Sequence, residues 1–228
     1  VLHIMHLLTL SGEIVHYAKD GNVPVVLGLH DYWHLCHRIN LLKPDLSLCS
    51  GPDGGAKCRH CGDPKYEKFP LNLTMPIMAR AFAKRTRYLK RVLNSVDIVH
   101  SPSQATKNIY VGNGVPENKI KLLPYGYMQF DCPQKKKIPG YIRLGFVGTI
   151  SPHRGLHFLL DALWGVDPAR FELAVYGSAP DQRYYESLRK KAEGLNVKFM
   201  GTFKRNELVK IFQSIDILVF PTLWPEPY

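Results

Sequence analysis

The sequence predicts an α/β protein built on parallel sheets, and three observations carry that expectation. From residue 142 onward, short apolar runs alternate with helix-period segments in the order β-α-β-α-β-α-β. That order requires a parallel sheet wrapped by right-handed crossovers. Strands such as Ala174-Val175-Tyr176 and Ile217-Leu218-Val219-Phe220 are apolar without alternation, as burial on both faces demands. Finally, the apolar run Leu144–Val147 meets Gly148 and a polar turn, after which Leu156, Leu159, Leu160 and Leu163 share one helix face.

Taken in order, the first block reads as a strand at Val1–His6, a helix near Ser11–Asp20 and a strand at Val23–His30. A loop-rich insertion spans 31–71, and a basic helix covers about 75–94. A short strand at Asp97–His100 leads to Ser103, a suitable N-cap for a helix through Val111. Ile120–Leu123 is a further strand, and Pro124-Tyr125-Gly126 turns away from it. The polar stretch 129–140, with Lys135, Lys136 and Lys137 in a row, reads as a linker. The chain thus divides into 1–128, the linker 129–140, and 141–228. In the last part strands are expected at Ile142–Val147, Phe171–Tyr176, Val197–Met200 and Ile217–Phe220. Helices fall at about Gly155–Trp164, Asp181–Glu193 and Lys204–Ser214.

At 228 residues the chain has room for one large or two small domains. Its 45% hydrophobic content suits a globular protein with a core, and no apolar run approaches the roughly 20 residues of a membrane span. The net charge of +11 points to anionic partners, among them nucleotide diphosphates, acidic lipid headgroups and nucleic acid.

The turn after Val147 is the most suggestive local feature. Strand, small-residue turn and helix start, with Arg154 in the turn, suit an anion, because unpaired amides and the helix dipole face whatever fills it. An ordinary βα corner with a surface arginine is the other reading. The strand at 216–222 then runs directly into Leu223, Trp224, Pro225, Glu226, Pro227 and Tyr228. That puts a carboxylate beyond a strand's carboxyl end, where open α/β sheets bind ligands.

Together RLGFVGTISPHRGLHFLLDAL (143–163) and LWPEPY (223–228) resemble retaining glycosyltransferases of the GT-B type, family 4. The resemblance implies two Rossmann-like domains, a nucleotide-sugar donor and no catalytic metal. It covers nearly the whole chain but only the middle of such an enzyme, so a fragment is expected, inactive by itself. The second Glu of the family's E-x7-E motif would fall past residue 228.

By this resemblance, Arg154 stands at the family's phosphate-contacting lysine, and Gly148, Thr149 and Gly155 belong to the same loop. Thr149 occupies the position of the family's arginine, which removes a charge. Arg154 keeps a cation able to grip phosphate bidentately. Gly177 and Ser178 resemble the Gly-x-Gly that touches the nucleotide, and Glu226 would meet the donor sugar's hydroxyls. Tyr125-Gly126 stands where the family usually has Asn-Gly. The family's His-x-His corresponds to His3-Ile4-Met5-His6, off by one, with His6 the preferred catalytic candidate. His30, opening HDYW, resembles the next strand's His-Asp-x-Trp and is expected beside the donor. For each histidine alone, a hydrogen-bonded residue in a half-buried turn is the competing reading.

Cys36, Cys49, Cys58 and Cys61 lie in the insertion, the last two as Cys-x2-Cys, and are expected to close a structural zinc site. Free thiols or two disulfides are the alternatives, with disulfides disfavoured in a cytosolic protein. Cys132 stands apart in the linker. On the basic helix, Arg80, Lys84, Arg85, Arg87, Lys90 and Arg91 suit either a solvated face or peripheral contact with anionic membrane.

The reading is therefore a cytoplasmic hexosyltransferase using a UDP- or GDP-sugar, with a glycan or lipid-linked acceptor, in surface polysaccharide or glycoconjugate synthesis. The alternatives are a GT-B sugar-nucleotide epimerase, a catalytically dead homologue, and a zinc-stabilised basic nucleic-acid-binding protein. The last leaves the second α/β block and Glu226 unexplained.

Overall fold

The computed structural model describes residues 1–8, 10–61, 71–127 and 138–227. Most of the expected linker, including the three lysines and Cys132, lies outside the described residues, as do part of the insertion and Tyr228. The described chain forms two compact units. One comprises Val1–Gly126 together with the segment that starts at Trp224, and the other comprises Tyr127–Leu223.

The first unit holds four parallel strands, β1 (Leu2–Ile4), β2 (Val25–Gly28), β3 (Ile98–Ser101) and β4 (Ile120–Leu122), in the order β1-β2-β3-β4. The register pairs Leu27 with Ile4 on one side and with Val99 on the other. Helices α1 (Glu13–Asp20), α2 (Leu71–Ser95) and α3 (Gln104–Gly112) complete it. Ser103 caps α3 as expected, its side chain accepting from the Thr106 amide at 3.2 Å. The core gathers Ile4, Leu7, Val25, Leu27, Leu29, Val92, Leu93, Val96, Val99 and Tyr110, all buried. Leu89, Val92 and Leu93 of α2 are buried, so the basic helix buries an apolar stripe and leaves most of its charges outside.

The second unit holds β5 (Ile142–Val147), β6 (Phe171–Tyr176), β7 (Val197–Gly201) and β8 (Ile217–Leu218), all parallel, in the order β7-β6-β5-β8. Its helices are α4 (Leu156–Leu163), α5 (Gln182–Lys191) and α6 (Leu208–Ser214). Leu156, Leu160 and Leu163 recur at helical spacing and bury against Phe146, Leu173 and Val175. Asp181 caps α5 by accepting from the Tyr184 amide at 3.1 Å, and the last turn is basic, so both helix ends are satisfied.

The strands are shorter than the apolar runs implied. β1 starts one residue in and ends at Ile4, and β8 is two residues, because a strand persists only where a neighbour pairs with it. α6 begins at Leu208, after a 3₁₀ turn at Arg205–Glu207 whose Glu207 side chain accepts from the Lys204 amide at 2.6 Å.

Candidate functional site

In each unit the candidate residues gather at the carboxyl ends of the strands, where a parallel sheet presents its loops. In the first unit, His6 follows β1, His30 and Asp31 follow β2, His100 lies in β3 and Tyr125 follows β4.

His6 has both ring nitrogens engaged. The Leu8 amide donates to Nδ1 at 2.7 Å, so Nε2 carries the proton and donates to Asp31 Oδ2 at 2.7 Å. Asp31 is fixed in turn: the Trp33 amide donates to Oδ1 at 2.7 Å, and the Tyr110 hydroxyl donates to the Asp31 carbonyl at 2.8 Å. A histidine and a carboxylate thus tie the ends of β1 and β2 together.

His30 lies against Tyr125, ring centroids 5.3 Å apart and planes 10° from parallel, and its Nδ1 is hydrogen-bonded to the Tyr125 hydroxyl. Burial, then the neighbouring His100 and His6, lower its pKa, so the ring is neutral near pH 7. Its Nε2 is buried without a partner. His34, 3% exposed, has neither nitrogen hydrogen-bonded, and burial, followed by the nearby His6 and Arg85 charges, pushes its pKa down to about 3.

Glu226 lies in the segment that packs with the first unit. It accepts from Trp224 Nε1 at 2.8 Å, and the Trp224 ring meets Tyr32 edge-on at 6.2 Å. The Pro227 carbonyl accepts from Thr106 Oγ1 at 2.8 Å and from Ser103 Oγ at 2.5 Å. These bonds seat the segment on the start of α3.

In the second unit, the loops after β5 and β6 are brought into contact. The Ile150 amide donates to the Ser178 carbonyl at 2.8 Å, and a Cβ on Gly177 would lie 1.8 Å from the Gly148 carbonyl oxygen. Only glycine lets the two turns cross this closely. Thr149 and Ser178 are exposed beside this crossing, and Arg154 is half-buried. Gly155 adopts φ 71°, and a Cβ there would sit 1.8 Å from the Pro221 carbonyl oxygen. The Leu223 amide donates to the His153 carbonyl at 2.9 Å, so the 152–155 turn and the chain beyond β8 form one wall. Of the six residues expected to bind donor in this unit, Gly148, Thr149, Gly177 and Ser178 lie at the crossing, while Arg154 and Gly155 belong to the turn packed against 221–223. A cavity of about 710 Å³ lies at the opposite, amino end of this sheet, among Ile142, Leu144, Phe171 and Ile217.

The structure gives the zinc expectation no support. Cys36, Cys49, Cys58 and Cys61 are free thiols around one small apolar cavity with Leu35, Leu41 and Leu42. Among the described residues no group of three or more His, Cys, Asp and Glu is arranged to hold a metal ion. Burial, then the three neighbouring thiols, push the Cys58 thiol up to about 11.

On α2, Arg80, Lys84, Arg87, Lys90 and Arg91 are exposed, and among the described residues none pairs with a carboxylate. Arg85 turns inward instead, over the Trp33 ring at 5.1 Å and bonded to the Trp33 carbonyl. No described helix is long and apolar enough to cross a membrane. Sequence reasoning had not singled out Asp31, His34, His100 or Tyr125 as partners. Asp31 follows His30 directly, but its bond to His6 depends on strand adjacency that spacing does not reveal.

Comparison with known proteins agrees with this architecture. Residues 141–227 match the family described as glycosyl transferases group 1. A Klebsiella pneumoniae protein described as an uncharacterized 41.2 kDa protein in the cps region is 24% identical over 148 residues, 60% of this chain and 40% of that protein. Anabaena Alr3699/HepE, solved in complex with UDP, superposes with a TM-score of 0.58 at 21% identity, over 95% of this chain and 52% of its own. Sucrose-phosphate synthase (tll1590) from Thermosynechococcus elongatus gives 0.60 at 17% identity, over 99% and 51%. The chain spans about half the length of these solved structures.

Proposed function

We infer that the chain is part of a glycosyl transferase of group 1, a reading supported by the match of residues 141–227 to that family and by the GT-B fold of two Rossmann-like parallel-sheet units. From that premise, we propose that the protein is a retaining hexosyltransferase that takes sugar from a UDP- or GDP-sugar. The acceptor would be a glycan or a lipid-linked saccharide of cytoplasmic polysaccharide synthesis. The observation that supports the reading is the contact of the loops after β5 and β6 at the sheet's carboxyl edge, the Ile150 amide on the Ser178 carbonyl and Gly177 against Gly148. Alr3699/HepE was also solved with UDP-glucose, and the cps-region relative favours a polysaccharide product.

In this reaction the bond from the anomeric carbon to the diphosphate oxygen breaks, and the acceptor hydroxyl forms the new glycosidic bond on the same face, its proton passing to the departing phosphate oxygen. Charge grows on the departing phosphate. Arg154 is assigned to meet it with a forked donor, assisted by amides at Gly148 and Gly155, while Thr149 offers a hydroxyl where the family has an arginine. Glu226 is assigned to the sugar hydroxyls, His30 to the donor, and the His6–Asp31 pair to the shape of the first unit's carboxyl edge. The exposed cationic stripe of α2 fits anionic headgroups around a lipid-linked acceptor.

Calorimetry of the full enzyme with UDP-glucose and GDP-mannose tests the reading. One of the two should bind, and Arg154→Ala should abolish that binding. Salt-steep RNA binding with no affinity for either sugar nucleotide would overturn it.

A further inference from the structure

His30 is held in a way the motif around it does not require. Its ring stacks on Tyr125, its Nδ1 engages the Tyr125 hydroxyl, and its edge faces His100 at 6.4 Å and 87°. It is also folded back over β2. A Cβ on Gly28 would lie 2.6 Å from His30 Nε2, so the ring occupies space that only a glycine leaves open. Nε2 is buried there without a partner.

A phenol is the better hydrogen-bond donor of the pair and an imidazole nitrogen the better acceptor. Tyr125 therefore donates to Nδ1, and the neutral ring keeps its proton on Nε2. A buried donor lacking an acceptor is costly, and an oxygen brought by a ligand relieves that cost.

We propose that Tyr125 is a positioning residue for His30: it clamps the ring by face and by Nδ1 over Gly28 and reserves Nε2–H for an oxygen of the bound donor. The clamp is independent of the function proposed above; only the identity of the ligand oxygen, sugar or diphosphate, rests on it. His100, His6, His3, Asp31 and Tyr125 are the titratable groups that act on His30.

Tyr125→Phe keeps the stacked ring and removes the hydroxyl. In the full enzyme, nitrogen-15 spectra of the imidazoles should show wild-type His30 in a single tautomer, Nε2 protonated, with a midpoint below 6.5. In Tyr125→Phe the two tautomers should mix and the midpoint should rise toward 6.5, while circular dichroism stays native. UDP-glucose affinity should fall about tenfold in the variant, with the acid limb of binding moved upward; a defect of folding alone would not shift that limb. Gly28→Ala, which expels the ring by another route, should also raise the midpoint. An unchanged His30 spectrum in Tyr125→Phe overturns the proposal. Altered tautomers in a protein that binds neither UDP-glucose nor GDP-mannose would support the clamp and count against the donor reading.

Discussion

His6 and Asp31 are joined through Nε2 and Oδ2 at 2.7 Å, and this bond fastens the end of β1 to the end of β2. Because the Trp33 amide holds the other carboxylate oxygen, Asp31 is a node rather than a single partner. Asp31→Ala should leave His6 Nε2 and the Trp33 amide unsatisfied in a half-buried site, costing about 1–3 kcal/mol. Urea denaturation of the chain checks this, and a loss within 0.3 kcal/mol would mean that the bond is not maintained in solution.

Acid should weaken the first unit through His34. Its folded pKa lies below the unfolded value of about 6.5, so below that pH the unfolded chain takes up a proton that the buried ring refuses. Stability is full above pH 6.5 and falls as pH drops toward 3, by about 1.4 kcal/mol per pH unit for this one group. His34→Phe should flatten the dependence of the urea midpoint over that range, with little change at pH 8.

Gly155 and Gly165 offer a matched pair. Both have positive φ, 71° and 86°, but a Cβ at Gly155 would strike the Pro221 carbonyl while Gly165 faces open space. Gly165→Ala should cost about 1–2 kcal/mol, the left-handed penalty alone. Gly155→Ala should cost clearly more and should also weaken donor binding, since the 152–155 turn must shift. Equal urea midpoints for the two variants would contradict this.

Cys36 is buried and the other three thiols are half-buried, and Cys58 should react slowly. With Cys58 pushed up to about 11, alkylation by iodoacetamide at pH 8 should be roughly a hundredfold slower than for a free thiol. A zinc chelator should leave Tm unchanged. A chelator-induced drop of several degrees would restore the metal site.

The cationic stripe gives the last expectation. Liposomes rich in phosphatidylglycerol should sediment the protein at low salt, and Lys84→Glu/Arg87→Glu/Arg91→Glu should abolish this without altering sugar-nucleotide affinity. Equal binding to neutral liposomes would refute an electrostatic contact.

Much of this architecture was legible in the sequence. β5 and β6 match their apolar runs residue for residue, because each is paired along its whole length. The Leu156–Leu163 period and the Ser103 cap were equally plain, being local signals of spacing and hydrogen bonding. What was hidden depends on neighbours distant in sequence. Tyr125 and His30 meet across 95 residues, and the crossing of Gly177 over Gly148 exists only once β5 and β6 are side by side. The cysteines show the same limit: Cys-x2-Cys states local proximity, but the apolar lining drawn from Leu35, Leu41 and Leu42 forms only in the fold.

The two strand orders also set different conditions for a nascent chain leaving the ribosome. In β1-β2-β3-β4 every strand docks on the one synthesised just before it, so that sheet can assemble in step with translation. In β7-β6-β5-β8 the sheet grows outward on one flank and keeps the other flank of β5 waiting for β8, some 70 residues later. Until β8 emerges, that bare edge is the place where a chaperone would most be needed.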